Sequence, residues 1–223
     1  MKRSAAIDGL IGLFGGTFDP VHVGHLRTAF ELCERLGFDE LRFIPAAVPP
    51  HRATPSAPIE LRVRMIEAAI AGQAGLTLDL RELERAGPSY TVDTAASLRA
   101  EFPRHALCLL LGMDAFAELP SWHEWQRLLD LVNIVVAQRP GSSLPTDGAV
   151  GRLLAERRVD SGSDWQPSGQ IVVLNVTQLE VSSTDLRASI RAGIEPRYLV
   201  PDAVAKIITE AGCYAEPNEI VEP

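Results

Sequence analysis

Two histidines, His22 and His25, stand three residues apart around Gly24, in a stretch from Gly15 to His25 that reads G-G-T-F-D-P-V-H-V-G-H. At a helix start that spacing puts both imidazoles on one side of the first turn. Gly15 and Gly16 accept positive φ and let backbone approach a ligand closely. Asp19-Pro20 is a turn signal. A helix N-terminus adds unpaired amides and the positive end of a dipole. Gly15, Gly16, Thr17, His22 and His25 together describe a cradle for an oligophosphate. The loop fits neither G-x-G-x-x-G nor G-x-x-x-x-G-K-[ST]. A zinc site would need a third ligand, and no other His or Cys of the chain has a paired spacing. The plain alternative is two histidines that only cap a helix.

A second stretch carries the same kind of chemistry. Val181 to Arg187 reads V-S-S-T-D-L-R and opens another predicted helix. Its amides and hydroxyls suit phosphate oxygens, and Arg187, one turn in, supplies a forked cation. Ser182 and Asp185 have capping-box spacing, with Asp in place of Glu. Two anion-binding helix starts suggest one long oligophosphate lying between them. Between the two, Pro45 to Pro58 is too rich in proline for regular structure. It holds His51 and Arg52 in a stiffened loop. Arg62 and Arg64 follow on a predicted helix and read as its solvated face.

The elements that must position these residues alternate. Strands are predicted at Leu10–Phe14, Leu41–Ile44, Leu76–Leu80, Ala106–Leu111, Asn133–Ala137 and Ile171–Val176. Helices are predicted at Leu26–Leu36, Ile59–Ala71, Thr91–Phe102, Ala149–Arg158, Val181–Gly193 and Pro201–Gly212, with an amphipathic segment from Trp122 through Leu131. Thr91 or Ser89 is the expected N-cap of the third helix. The continuous apolar run Ala106–Leu111 fits a strand buried on both faces of a parallel sheet. Gly112-Met113-Asp114 would lie at its carboxyl end, where such sheets place ligands. The pattern predicts βαβ crossovers and an α/β, doubly wound, mainly parallel sheet. No repeat and no clean linker appears, so residues 1–223 are read as one domain. Gly141 to Gly169, rich in Gly, Ser, Pro and Asp, is read as a flexible excursion.

A chain of 223 residues can bury about 70% of its unfolded surface in one such domain. The net charge of −8 argues against nucleic acid or a membrane surface as partner. The cysteines Cys33, Cys108 and Cys213 are odd in number and widely spaced, which points to a reducing compartment. Cys33 and Cys108 read as core. A cytoplasmic location is expected, and nothing in the sequence sets an oligomeric state.

G-G-T-F-D-P-x-H-x-G-H resembles the signature loop of the nucleotidyltransferases marked by (T/H)-x-G-H. P-P-H-R at 49–52, P-S-Y-T-V-D-T at 88–94, L-G-M-D at 111–114, Trp122 with the helix after it, and V-S-S-T-D-L-R at 181–187 are each similar to a block of the bacterial nicotinate-nucleotide adenylyltransferase family, in the family's order. The departures are small. Arg52 and Val181 stand where Lys and Ile are usual. His123 and Leu179 stand where some members carry aromatics, which leaves ring stacking to Trp122.

The resemblance implies a Rossmann-like nucleotidyltransferase fold and adenylyl transfer from ATP to nicotinate mononucleotide in NAD biosynthesis, with Mg²⁺ arriving on ATP. It implies catalytic roles for His22, His25 and Arg187. It places Gly15, Gly16, Thr17, Ser182 and Ser183 with them on ATP. It places His51, Arg52, Tyr90, Thr91, Asp114 and Trp122 on the mononucleotide. Trp122 would stack on the pyridine, Thr91 face its carboxylate, and Asp114 meet a ribose hydroxyl or a metal-bound water. No residue would act as a dedicated metal ligand. The rivals are a phosphopantetheine adenylyltransferase, a class I aminoacyl-tRNA synthetase and a nucleotide sensor without catalysis. P-S-Y-T-V-D-T with Trp122 speaks against the first. Chain length and the lack of K-M-S-K-S speak against the second, and the two intact phosphate motifs speak against the third.

Overall fold

The computed structural model describes residues 7–49, 54–138, 141, 143–161, 164–177 and 179–215. Six strands form one parallel sheet: β1 (Leu10–Gly16), β2 (Glu40–Pro45), β3 (Leu76–Leu78), β4 (Ala106–Gly112), β5 (Asn133–Gln138) and β6 (Ile171–Asn175). Their order across the sheet is β3-β2-β1-β4-β5-β6. Successive strands first step outward from β1 to β3, and the chain then crosses back to lay β4 on the other flank of β1. The carboxyl ends of β1 and β4 therefore border the switch point, where open α/β sheets leave a crevice for ligands.

The central strands are apolar throughout because both their faces are covered. Along β4 the side chains alternate between two cores. Ala106, Cys108 and Leu110 join one, and Leu107, Leu109 and Leu111 the other. The first core is closed by α1 (Val23–Leu36), α2 (Ile59–Ile70), α7 (Ser183–Arg191) and α8 (Asp202–Glu210), through residues such as Leu32, Ile66, Leu186 and Val204. The second is closed by α3 (Thr91–Glu101), α4 (Met113–Ala117), α5 (Trp125–Leu131) and α6 (Gly148–Arg157), through Leu98, Phe116, Leu128 and Leu153.

Two short pieces were not expected: α4 and the 3-10 turn Leu119–Ser121. Within the Gly141–Gly169 segment, the helix expected at Ala149–Arg158 is α6, whose Val150, Leu153 and Leu154 are buried. No helix among the described residues is long and apolar enough to cross a membrane. All three cysteines carry unpaired thiols, with Cys108 fully buried and Cys33 packed against the first core.

At the amino-terminal rim of the sheet, away from the switch point, one guanidinium fastens several segments. Arg99 donates to the carbonyls of Leu131 (2.8 Å), Phe102 (3.0 Å), His105 (2.8 Å) and Pro167 (2.6 Å).

Candidate functional site: the phosphate loop and its surroundings

The first motif opens where β1 ends. Gly15 and Gly16 pair in parallel register with Ile44 and Pro45. Neither has positive φ; that conformation falls on Phe18, at φ 49. The glycines serve approach instead. A Cβ built on Gly15 would meet no atom within 4 Å, so this backbone faces open space, whereas one on Gly16 would lie 3.0 Å from the Phe18 ring. Phe18 is buried and stands edge-on to His25, with ring centroids 5.1 Å apart.

His22 is the N-cap of α1 and His25 its third residue. The imidazoles stack with centroids 3.7 Å apart and planes 29° apart. The His22 amide donates to His25 Nδ1 at 3.3 Å, which leaves the proton of a neutral His25 on Nε2. The spacer Gly24 leaves room for the ring: a Cβ there would sit tightly, 3.0 Å from His22 Nδ1. His22 is only 5% exposed, and burial holds its pKa down at about 4. It is therefore neutral at pH 7. Its Nδ1 is buried without a partner among the described residues.

The second motif lies against the first, as two adjacent helix starts would require. Ser183 Oγ donates to the Pro20 carbonyl at 3.0 Å, and Arg187 Nη1 donates to the Asp19 carbonyl at 2.7 Å. The serine hydroxyls are thus occupied within the protein. Ser182 Oγ accepts the Asp185 amide at 3.1 Å, the N-cap half of the expected capping box, and donates to the Asp185 carboxylate at 2.7 Å. What α7 offers an anion is the amide pair of Ser183 and Thr184, which precede its first bonded turn (Leu186 N–H to the Ser182 carbonyl). In α1 the Val23 amide is taken by the Leu199 carbonyl at 3.0 Å.

Beneath both motifs are buried charges. Asp19, joined to Pro20 by a cis peptide, is 4% exposed. Its carboxylate accepts the amides of Ser56 (2.7 Å) and Ala57 (3.0 Å) and the hydroxyl of Tyr214 (2.7 Å). Arg62 is 1% exposed, not solvated as expected. Its Nη1 donates to the carbonyls of Thr17 (2.8 Å) and Ala46 (2.9 Å). These loop carbonyls have no ladder partner, and a long cation reaches them from α2. Its spacing to Met65 and Ile66, i+3 and i+4 on the buried face, was the signal for this. Arg64 is exposed, as expected.

The other half of the site lies beside β4. Asp114, second residue of α4, is exposed just past the carboxyl end of that strand. Trp122 is half-buried against the second core. Tyr90, not Thr91 or Ser89, is the N-cap of α3, with no side-chain cap. Ser89 is used elsewhere: its Oγ accepts the amides of Ala47 (3.0 Å) and Val48 (3.2 Å), fastening the loop after β2 to the loop before α3. Glu82 is buried, and that burial pushes its carboxyl pKa up. It accepts the Thr94 hydroxyl at 2.7 Å. The Tyr90 ring lies on His123, centroids 4.3 Å apart. Glu82, His123, Asp19 and Tyr214 were missed as site-building residues. His51 and Arg52 lie outside the described residues. Among those described, no three His, Cys, Asp or Glu side chains gather as metal ligands.

A parallel sheet in this order, with two helix N-termini and paired histidines at its switch point, defines an α/β nucleotidyltransferase of Rossmann-like type. A cytidylyltransferase-like family model matches residues 13–189. Among similar proteins, one from Methylococcus capsulatus, named a probable nicotinate-nucleotide adenylyltransferase, is 47% identical over 93% of this chain and 100% of its own. One of the same name from Pseudomonas syringae pv. tomato is 50% identical over 93% and 95%. The fold matches that of the Plasmodium falciparum nicotinic acid mononucleotide adenylyltransferase complexed with NaAD, with TM-score 0.71 over 92% of this chain and 97% of that one, at 15% identity. The chain belongs to the nicotinate-nucleotide adenylyltransferases of the cytidylyltransferase-like family.

Proposed function

We propose that this chain joins ATP to nicotinate mononucleotide, forming nicotinate adenine dinucleotide and pyrophosphate in NAD biosynthesis. The observation that carries this reading is the junction of the two phosphate motifs, made by Ser183 on Pro20 and Arg187 on Asp19. An oxygen of the mononucleotide phosphate attacks the α-phosphorus of ATP. The bond from that phosphorus to the bridging oxygen breaks, and pyrophosphate leaves with the electron pair. The nucleophile is already ionised near pH 7, so no general base is needed. The protein supplies alignment and compensation of developing charge.

In this reading the Gly15-Gly16-Thr17 backbone, His22 and His25 hold the ATP phosphates, His22 as a neutral partner. The amides at Ser183 and Thr184, with Ser182 as the cap that orders them, and Arg187 hold the β and γ phosphates. His51 and Arg52 assist the mononucleotide phosphate or the pyrophosphate. Asp114, Tyr90, Thr91 and Trp122 receive the nucleoside and pyridine. Mg²⁺ would arrive on the ATP phosphates and would neutralise part of their charge, with Asp114 as the candidate partner of a metal-bound water. The net charge of −8 supports small-molecule partners over nucleic acid or membranes, and the unpaired thiols support the cytoplasm.

The test is pyrophosphate release from ATP and Mg²⁺ with nicotinate mononucleotide, nicotinamide mononucleotide or phosphopantetheine. Release with the nicotinate form alone is expected. Release only with phosphopantetheine would assign the chain to a different branch of the superfamily.

A further inference from the structure

We propose that Tyr214 is a positioning residue for adenylyl transfer, acting through the Asp19 carboxylate to fix the loop that presents Arg187 and the histidines to the ATP phosphates. The inference rests on the function proposed above. Tyr214 lies in the turn after α8, far along the chain from any motif that resembles a nucleotide site. Its backbone is held at φ 69, in the left-handed region that a bulky residue rarely occupies. The residue is buried, 8% exposed. The hydroxyl donates to Asp19 Oδ1 at 2.7 Å.

Asp19 is where four segments meet. The same Oδ1 accepts the Ala57 amide at 3.0 Å, and Oδ2 accepts the Ser56 amide at 2.7 Å. Arg187 Nη1 lies 3.9 Å from Oδ2 and donates to the Asp19 main-chain carbonyl at 2.7 Å. One peptide unit of the phosphate loop is therefore held from the C-terminal turn, from the loop before α2 and from α7. Burial and the neighbouring carboxylate push the Tyr214 phenol far above its usual range, so it remains a donor at any working pH. Without that donor the carboxylate keeps the two amides and the more distant Arg187 guanidinium, and is less fixed in rotation. The carbonyl that orients Arg187 belongs to the same residue. Among the described residues, Tyr90, Thr91, Asp114 and Trp122 make no bond to this carboxylate, so the effect should fall mainly on the ATP side.

The test compares Tyr214→Phe with Val204→Ala, a fully buried change on α8 that weakens the same region without touching Asp19. Both are assayed well below their unfolding midpoints. Tyr214→Phe should lower kcat about tenfold, with KM for nicotinate mononucleotide within twofold of the parent, and Val204→Ala should leave kcat unchanged. Equal kcat in the two variants would overturn the proposal, as would a loss shared equally by both substrates. Amide exchange at Ser56 and Ala57 is read separately from activity. Protection should fall about tenfold in Tyr214→Phe only, and equal protection in both variants would overturn the proposal. If the parent protein makes no dinucleotide, the reaction assignment fails, while the exchange result still decides whether Tyr214 fixes the loop.

Discussion

On the phosphate side, the contacts that shape the site cross most of the chain: Asp19 to Tyr214 spans 195 residues, Arg187 to Asp19 168, and Ser183 to Pro20 163. Asp19, His22 and Arg62 there are nearly inaccessible to water. On the pyridine side, Asp114 and His123 are exposed, Trp122 is half-buried, and the Tyr90–His123 stack joins neighbouring loops. Charge that develops in a transition state needs groups already fixed in place, because reorienting them during the reaction raises the barrier. An aromatic ring needs a flat apolar partner and tolerates small adjustments. In the proposed reading the rigid half serves the reaction step, and the open half serves recognition.

Substitutions can break this division, beginning with the buried carboxylate. Asp19→Ala should cost about 3–5 kcal/mol of stability, because it strands two amides, a phenol and a nearby guanidinium. Urea denaturation would measure it, and a loss under 1 kcal/mol would mean that the hub is not rigid. His25→Ala should lower kcat by about 10²–10³ with the fold intact, the effect of removing one placed donor. Near-normal turnover would take His25 out of the mechanism. Trp122→Ala should weaken apparent mononucleotide affinity about tenfold and leave the KM for ATP alone. A change confined to ATP would reverse the assignment of the two halves.

The smallest effect concerns pH. His22 is held at about 4 when folded, below its ordinary 6.5, so between those values the unfolded chain binds more protons. Its contribution to stability is complete above pH 6.5 and is lost as pH falls toward 4. Glu31, held at about 2 chiefly by its bonds to Thr177 and Arg27, loses its contribution only below about 4.5. His22→Gln should therefore flatten the stability curve between pH 6.5 and 4 and leave the lower range unchanged. Chemical denaturation across that range would show it.

The sheet was legible because its strands are covered on both faces and so read as unbroken apolar runs, as in Ala106–Leu111. The two phosphate motifs were legible because each is local, with strand end, turn and cap within a dozen residues. Arg62 was misread because charge was weighed above its place on the buried stripe with Met65 and Ile66. The short α4 and the following 3-10 turn carry too few residues to show a period. The bond from Tyr214 to Asp19 has no local signature, since it joins an ordinary helix-ending turn to a loop at the other end of the chain. Gly15 and Gly16 were read as able to take positive φ, but they stay in the strand register, and the positive φ falls on Phe18.

The distance in sequence between Asp19 and Tyr214 also sets a clock for biosynthesis. At roughly 5–20 residues per second, a ribosome takes about 10–40 s to cover the 195 residues that separate them. During that interval the histidine loop exists without the phenol that steadies it. A nascent chain can form its first strands and helix early, yet its nucleotide cradle is completed only by one of the later residues to emerge. Incomplete chains, which would otherwise hold ATP in a half-built site, should handle it poorly.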